Sequence, residues 1–469
     1  MNQNSGNSNH LESGSTSQAS KASNASIASK ASSPFMPQDN LQHSDPLPSK
    51  KVLIITYYWP PSAGAGVQRW LKFAKYLPSS GWEPLIITVD PEYATYPAID
   101  HSLDRDLDSK IRIWKTRATD YFRIYRRDKS KVPAAGFASS DEKSFKGWLI
   151  RFVRGNFFIP DPRRGWNKYA FKQAGELILS EGVTHVITTS PPHSTQLIGI
   201  KLKKKFPSIK WIADLRDPWT DIYYYDKFFP TFIARIIDRS YEESVLEKAD
   251  RIITVGNSLR NVFSNKVPAA KDKISVLTNG YDEDDFRNIQ KSQSSEFTIT
   301  YTGTLSSDYP LNGILSTLQT LCSEGIEIRL RFIGSVAAEQ TRLIYSKIDS
   351  KLVEFIKTVD HHLAIKYMFD SDVLLLIIPD HTSRNSIITG KLFEYLATRN
   401  PILCLGPVDG DAADIIKNTG SGVCINYDDE ISIRRFITSV KSQNFKTSDI
   451  KPTEYSRENL SRKLASLLY

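Results

Sequence analysis

Short, continuous apolar runs alternate along most of the chain with stretches in which apolar residues recur at helical spacing. The run VLIITYY at 52–58 is typical of a strand buried on both faces, whereas VQRWLKFAKYL at 67–77 has the spacing of an amphipathic helix. Further strand-like runs follow: PLIITV, HVITTS (185–190), WIAD (211–214), RIITVG (251–256) and ISVLTNG (274–280). A long helical segment ends near Lys248. This alternation predicts a parallel sheet with helices on both faces.

The polar stretch at 282–296 (DEDDFRNIQKSQSSE) interrupts this rhythm and is the best linker in the chain. Its acidic residues look like the metal-binding acids of some enzymes, but solvated polar chain is the simpler interpretation. The rhythm then restarts with these segments: FTITYTG, a helix near 311–321, IRLRFIG, VLLLIIP, a helix around 391–396 and PILCLG. Two such units predict an α/β protein with two doubly wound, Rossmann-like domains facing each other across a cleft.

These patterns also predict the limits of the domains. An N-terminal domain covers 49–285, a C-terminal domain covers 296–440, and 452–469 forms a closing amphipathic helix with Pro452 near its start. Residues 1–48 are rich in Ser, Asn and Ala and nearly free of large apolar side chains. Such a segment cannot offset its ordering entropy, so we expect a disordered tail.

Composition excludes several classes of protein. The 469 residues are 40% hydrophobic and 24% charged, as in ordinary globular proteins and unlike disordered or collagen-like chains. Three cysteines, Cys322, Cys404 and Cys424, are too few for a disulfide framework and indicate a reducing compartment. The apolar runs are too short to span a membrane. The N-terminus lacks the basic segment followed by an apolar segment that is typical of a signal peptide. We therefore expect a cytoplasmic protein.

The net charge of +9 comes from one segment. Residues 111–168 contain 15 Lys and Arg against 5 Asp and Glu, so the remainder of the chain is close to neutral. A basic protein could bind nucleic acid, but the charge is confined to this insert and no recognised nucleic-acid motif is present. We expect no nucleic-acid partner.

Within the basic insert, apolar and basic residues fall on different faces of a predicted helix. The apolar set is Phe145, Trp148, Leu149, Phe152 and Val153, and the basic set is Lys146, Arg151 and Arg154. This pattern is typical of a helix at 145–154 that lies on an anionic membrane surface, with the protein peripheral on the inner face. A helix packed against its own domain would show the same periodicity, and the sequence leaves both interpretations open.

Three clusters in the first half follow predicted strands. Gly64 and Gly66 lie in the turn PPSAGAG, where glycines allow close approach to a ligand, although Arg69 occupies the third glycine position of a dinucleotide loop. A simple tight turn fits equally well. The second cluster, SPPHS, places His193 at a helix N-terminus, and the third, ADLRDPW, contains Asp214, Arg216 and Asp217. A loop histidine and an Asp–Arg pair that only holds its loop are the structural alternatives.

The second half has two comparable clusters. Gly303 follows a strand in YTGTL, and Lys391 and Glu394 lie one turn apart at the start of a helix in GKLFEYL. A lysine there can neutralise phosphate, and a glutamate can accept two hydrogen bonds from a ribose diol. An exposed Lys–Glu pair is the alternative.

Taken in order, seven segments resemble the motifs of bacterial glycosyltransferase family 4, whose members have the GT-B fold. The segments are ITYYWPPSAGAGVQRWLKFAKYL, TTSPPHSTQLIG, ADLRDPWT, RIITVGNSL, VLTNGYDEDDF, YTGTL and GKLFEYLATRNPILCLGP, and they span about residues 50–440. The resemblance implies a retaining, metal-independent transfer of a sugar from a nucleotide-diphospho-sugar, with no other cofactor. It implies a donor site in the C-terminal domain and an acceptor site in the N-terminal domain, the acceptor being a lipid-linked saccharide of surface-polysaccharide synthesis.

The resemblance also implies residue roles. Glu394 matches the ribose-binding Glu, Gly303 and Lys391 match residues that face the diphosphate, and Gly64 and Gly66 match the loop that approaches the donor. The catalytic group at the floor of the cleft would be His193, Asp214, Arg216 and Asp217. The family usually has a Glu eight residues before the ribose Glu, where this chain has Ser386, and Arg384 is a nearby cation for the donor phosphates. Sugar-nucleotide 2-epimerases share two facing Rossmann-like domains, so epimerisation is the alternative reaction.

Overall fold

The computed structural model describes residues 50–119, 121, 145–292 and 296–469. The predicted tail at 1–48 and residues 122–144 of the basic insert lie outside the described residues.

The first half forms a seven-stranded parallel sheet in the order β3-β2-β1-β4-β5-β6-β7. Its strands are β1 (Lys50–Ile55), β2 (Trp82–Val89), β3 (Arg112–Thr116), β4 (His185–Ser190), β5 (Lys210–Leu215), β6 (Arg251–Thr254) and β7 (Ile274–Val276). In the central strand β1, Val52 to Ile55 are fully buried because helices cover both faces. The strands between residues 49 and 285 are thus parallel, and the interior strand β1 is covered on both faces.

The second half repeats the architecture with a six-stranded parallel sheet in the order β10-β9-β8-β11-β12-β13. Its strands are β8 (Thr298–Thr302), β9 (Arg329–Ile333), β10 (Val353–Ile356), β11 (Val373–Ile377), β12 (Ile402–Leu405) and β13 (Gly422–Ile425). The order reverses between β8 and β11, and in such sheets ligands bind at this switch point, beyond the carboxyl ends of the strands.

Helices cover both sheets. Those of the first half are α1 (Ala65–Tyr76), α2 (Phe145–Phe157), α3 (Asn167–Ser180), α4 (Gln196–Lys205), α5 (Phe232–Lys248) and α6 (Asn257–Lys266). Those of the second half are α7 (Asn312–Ser323), α8 (Ala338–Lys347), α9 (His361–Phe369), α10 (Gly390–Thr398), α11 (Asp411–Thr419) and α12 (Glu430–Lys441).

The last helix, α13 (Arg457–Leu467), returns to the first half of the chain. Leu460, Leu464 and Leu468 pack in the hydrophobic core beside α1. The helix starts five residues after Pro452 because Ser456 is its N-cap, with its hydroxyl accepting a hydrogen bond from the Asn459 amide at 3.2 Å. The last helix therefore packs against the first half, although it follows the second half in sequence.

The prediction that 282–296 begins as solvated polar chain is wrong for Asp282. This side chain is only 3% exposed, and its carboxylate lies 2.7 Å from Nζ of Lys72 and 3.0 Å from Nζ of Lys75. The Tyr76 hydroxyl donates a third contact at 2.6 Å. Asp282 thus anchors the segment between the sheets to α1.

In the part of the chain that the structure describes, every helix is too short or too polar to cross a bilayer.

Candidate active site

A cavity of about 480 Å³ opens at the cleft between the two halves. The first half supplies most of its walls, and the second half supplies Ser383, Ser386, Ile387, Ile388 and Gly390. Because Gly390 is the first residue of α10, the same segment leads directly to Lys391 and Glu394. Gly66, His193, Arg216 and Asp217 line the cavity, whereas Gly303, Lys391 and Glu394 are not among its lining residues and lie next to the second-half segment that does line it.

The glycine loop brings the start of α1 against Arg216. Gly64 has φ of 116°, a backbone conformation that side chains other than glycine rarely adopt. A Cβ at Gly66 would overlap the Arg216 guanidinium, so only glycine allows this approach. Arg216 follows β5 and donates from Nε to the Ser190 carbonyl at 2.8 Å. Gly66 and Arg216 both line the cavity.

His193 lies in the turn before α4 and lines the same cavity. Its ring stacks on Trp219, with centroids 4.8 Å apart. Burial, and secondly the charge of Arg216, lower the pKa of His193 to about 3, so the ring is neutral near pH 7. Its Nδ1 is buried without a hydrogen-bond partner among the described residues.

The two aspartates of the third cluster have different environments. Asp214 is fully buried, and its carboxylate accepts hydrogen bonds from Arg69 at 3.1 Å, Trp70 at 2.9 Å and Thr189 at 2.8 Å. It lies beneath the cavity wall and holds α1, β4 and β5 together. Asp217 lines the cavity, and burial raises the pKa of its carboxyl.

The structure brings Gly303 and Lys391 into contact in the second half. Gly303 has φ of 98°, and a Cβ there would lie 2.5 Å from Cε of Lys391. The Lys391 ammonium donates to the Tyr301 hydroxyl at 2.8 Å. Burial lowers the pKa of Lys391 to about 8, an effect that the charge of Glu394 opposes. This lysine is thus a buried cation at the switch point of the second sheet.

Glu394 lies one turn further along α10, where His361 contacts its carboxylate. His361 Nε2 lies 3.1 Å from Glu394 Oε1, and this hydrogen bond raises the pKa of His361. His361 is the first residue of α9, and Asp360 caps that helix by accepting a hydrogen bond from the Leu363 amide at 2.9 Å. His361 thus occupies one acceptor position of the Glu394 carboxylate, and its other acceptor positions remain for a ligand.

Arg384 is apart from these groups. Its side chain is exposed and ion-paired with Asp380, and it is absent from the residues that line the cavity. Ser386 does line the cavity, and its hydroxyl donates to the Ser383 carbonyl at 2.9 Å.

The sequence interpretation missed the cationic and aromatic walls of the cavity. Arg154, for which the sequence left membrane contact and packing against its own domain both open, lines the cavity, with its guanidinium 3.8 Å from the centroid of the Phe228 ring. Arg163 also lines the cavity and is only 7% exposed. The aromatic walls include Tyr58 and the run Tyr223 to Tyr225. That run, which begins four residues after the end of ADLRDPW, was a visible signal in the sequence. The inward direction of Arg154, by contrast, depends on tertiary contacts.

Two facing doubly wound sheets, with a final helix that returns to the first half, define the GT-B fold. Solved structures of this fold are similar over nearly the whole chain. A sucrose-phosphate synthase from Thermosynechococcus elongatus has a TM-score of 0.55 at 13% identity, covering 90% of this chain and 95% of its own. A glycosyltransferase from Rickettsia africae has a TM-score of 0.55 at 15% identity, covering 90% and 98%. HepE from Anabaena, in complex with UDP-glucose, has a TM-score of 0.54 at 12% identity, covering 89% and 99%.

No family model matches the chain, and no curated protein sequence matches it. At these identities, the similarity to the solved structures establishes the fold.

Proposed function

We propose that this protein is a glycosyltransferase that moves a sugar from a nucleotide-diphospho-sugar to an acceptor hydroxyl. The observation that carries the proposal is the shared cavity, in which Gly66, His193 and Arg216 of the first half meet the segment that leads into Lys391 and Glu394. Donor binding belongs to the domain at 296–440 and acceptor binding to the domain at 49–285. A similar solved structure, that of HepE, holds UDP-glucose.

The donor site is built around α10. Glu394 accepts two hydrogen bonds from the ribose at the acceptor positions that His361 leaves open, and Lys391 exchanges Tyr301 for a donor phosphate. Gly303 leaves room for this lysine because a larger residue would overlap its side chain. Arg384 is exposed, so its contribution to the phosphates requires it to leave Asp380.

The chemistry requires stabilisation of the leaving group. Breaking the bond between sugar and phosphate builds negative charge on the departing diphosphate, and preorganised cations and amides stabilise that charge. Arg216 and Lys391 supply the cations in a metal-independent reaction. Gly66 allows Arg216 to approach the start of α1. We favour retention of configuration, as the motif resemblance implies.

The acceptor hydroxyl is held by the other wall of the cleft. Asp217 faces the cavity and can accept a hydrogen bond from the attacking hydroxyl. The neutral His193 ring, held by Trp219, offers its unpartnered Nδ1 for a second contact. Asp214 acts indirectly, as a positioning residue for α1 and β5.

Product analysis tests this reaction. The purified protein is incubated with UDP-, GDP-, dTDP- and CMP-linked sugars and a bacterial lipid extract, and released nucleotide and lipid mass are measured. We expect nucleotide release and a hexose-sized mass increase with one donor class, and Lys391→Met to lower turnover by about a hundredfold through loss of charge stabilisation. Lys417→Met, an exposed position on α11, is the matched control.

Two results would contradict the proposal. A stereoisomer of the nucleotide sugar, formed without nucleotide release, would identify an epimerase. Equal turnover in Lys391→Met and the wild type would remove Lys391 from the donor site.

The acceptor we propose is a lipid-linked saccharide of surface-polysaccharide synthesis, reached from an anionic membrane on its inner face. Exposed apolar side chains form a patch on α2, the loop that packs beside it and the first turns of α5, which we call the apolar patch: Phe145, Trp148, Leu149, Phe229, Phe232, Ile233, Ile236 and Ile237. Asn156 of α2 ties that loop in place by donating to the Phe229 carbonyl at 3.0 Å.

The outer and the inner side of α2 and of the loop that packs beside it both support the proposed binding to a membrane. On the outside, Phe232 is 78% exposed and Ile233 is 69% exposed, and Arg151 lies 5.5 Å from the centroid of the Phe229 ring. On the inside, Arg154 and Phe228 line the cavity. A lipid-linked acceptor entering beside the patch would thus reach the cavity directly.

A further inference from the structure

Two of the three cysteines lie side by side on adjacent strands of the second sheet. Cys404 of β12 pairs directly with Cys424 of β13 in the parallel register. Directly paired residues of neighbouring strands point to the same face of a sheet. Both side chains accordingly lie in the apolar core to which α10 and α11 contribute. The proposed transfer reaction uses neither thiol.

The spacing of the two backbones suits a disulfide bond. Neighbouring strands of a sheet lie about 4.8 Å apart, and disulfides join Cα atoms that are about 4.4–6.8 Å apart. Both sulfur atoms also approach the turn that follows β12. Cys424 Sγ donates to the Pro407 carbonyl at 3.5 Å, and a Cβ at Gly406 would lie 3.9 Å from Cys404 Sγ. A bond between the sulfurs therefore needs no change in the pairing of the strands.

The two thiols differ in their access to solvent. Cys404 is fully buried, whereas Cys424 is partly exposed. A hydrogen bond with the Cys424 thiol, and secondly burial, raise the pKa of the Cys404 thiol. A small oxidant therefore meets Cys424 first, and Cys404 is placed to attack the oxidised sulfur.

We propose that Cys404 and Cys424 form a redox site, which hydrogen peroxide converts to a disulfide and a dithiol reductant restores. In the first step, the Cys424 sulfur attacks a peroxide oxygen, the O–O bond breaks, and a sulfenic acid and water are formed. In the second step, the Cys404 sulfur attacks the sulfenic sulfur, and its proton leaves with the displaced hydroxide as water. The two sulfurs thus lose two electrons, and the peroxide gains them.

The redox site lies beside the segments through which the second half meets the cleft. The turn that contacts both sulfurs leads into α11, where the Asp411 carboxylate accepts a hydrogen bond from the Ser258 amide of the first half at 3.1 Å. A Cβ at Gly410 would lie 3.2 Å from the Asn385 carbonyl, and the next residue, Ser386, lines the cavity. A disulfide draws its two sulfurs to about 2.05 Å, and we expect this turn to move with them.

Oxidation should therefore slow the transfer reaction. This effect rests on the proposed function, whereas formation of the disulfide does not. We expect nucleotide release to fall by at least about tenfold, because a displacement of about 1 Å in positioning groups lowers rates by up to about a hundredfold.

The test treats the reduced, full-length protein with an equimolar amount of hydrogen peroxide and counts free thiols after denaturation. We expect the three thiols to fall to one and the intact mass to fall by two hydrogen atoms. Peptide mapping should find the bond between Cys404 and Cys424. Dithiothreitol should restore all three thiols and the rate of nucleotide release.

Single variants localise the bond. Cys424→Ser should keep its activity after peroxide treatment, because Cys404 is shielded by burial and serine can still donate to the Pro407 carbonyl. In Cys404→Ala, the reaction should stop at the Cys424 sulfenic acid, which dimedone traps. Cys322→Ser is the matched control, because α7 packs in the other core of the second half, and it should form the disulfide as the wild type does. Thermal midpoints show whether each variant is folded.

Three results are distinguishable. If the wild type keeps three free thiols after peroxide, or if the bond joins two molecules or includes Cys322, the redox site is overturned. If the disulfide forms but nucleotide release is unchanged, its coupling to the cleft is overturned and the site stands. If the reduced protein releases no nucleotide from any donor, the proposed transferase function fails, and the thiol count still decides the redox site.

Discussion

At the residue scale, two side chains of the proposed donor site each have a protein partner beside the position proposed for the ligand. The Lys391 ammonium contacts Tyr301, and Glu394 contacts His361. Neither partner lies near its target in the sequence, so the motif GKLFEYL indicated the two functional residues and could not reveal what holds them. Asp214 is a similar case. Its three buried hydrogen-bond donors come from α1 and β4, which are distant from it in the sequence.

Donor binding should weaken as pH rises above about 8, where the buried Lys391 loses its proton. Between the pKa values of the free and the ligand-bound lysine, affinity falls by up to about tenfold per pH unit. The variant Lys391→Arg carries a guanidinium that stays charged, so its affinity should remain level over this range. His361 acts in the opposite sense at lower pH, because its protonated form holds Glu394 more firmly. Calorimetric titration with the nucleotide sugar from pH 6 to 10 measures the loss of affinity at both low and high pH. An equal loss of affinity above pH 8 in the wild type and in Lys391→Arg would contradict the role of Lys391 in donor binding.

At the element scale, buried strands were predictable and half-buried elements were not. The run HVITTS coincides with β4 (His185–Ser190), because a strand covered on both faces must be continuously apolar or small. The edge strand β3 (Arg112–Thr116) was missed because it is only half-buried and carries basic side chains. Helix α2 was anticipated at 145–154, but periodicity gives the faces of a helix and not their neighbours, so the sequence could not decide whether Arg154 faces a membrane or its own domain.

Membrane binding should depend on the apolar patch of α2 and α5. The double variant Ile233→Ser, Ile236→Ser should reduce sedimentation with vesicles of phosphatidylglycerol and phosphatidylcholine by at least about tenfold, because burial of each side chain is worth about 1.5–3 kcal/mol. Arg151→Glu should weaken binding to the anionic vesicles and leave the weak binding to pure phosphatidylcholine unchanged.

The matched control is Ile431→Ser on α12, where the isoleucine is 72% exposed but distant in the chain from the patch. Unchanged sedimentation of the double variant would show that the patch has another occupant, such as a second protein.

At the scale of the whole molecule, the two α/β halves meet through few, specific contacts. Ser258 of α6 donates from its amide to the Asp411 carboxylate at 3.1 Å, and the rings of Tyr223 and His381 stack with centroids 4.1 Å apart. Arg457 of α13 is buried within electrostatic reach of both Arg216 and Glu394. The alternating pattern predicted the two halves and the cleft, but these contacts join residues far apart in sequence and required the structure.

The central claim is that the cleft binds a nucleotide sugar through Glu394 in the second half. Its most direct test is thermal-shift titration of the wild type, Glu394→Ala and the control Glu339→Ala, a 66% exposed glutamate on α8, with UDP-, GDP-, dTDP- and CMP-linked sugars. One nucleotide class should stabilise the wild type and the control, by about 2.7 kcal/mol at a hundredfold excess over Kd, and stabilise Glu394→Ala far less. Absence of stabilisation by every class, or equal stabilisation of Glu394→Ala, would contradict the claim.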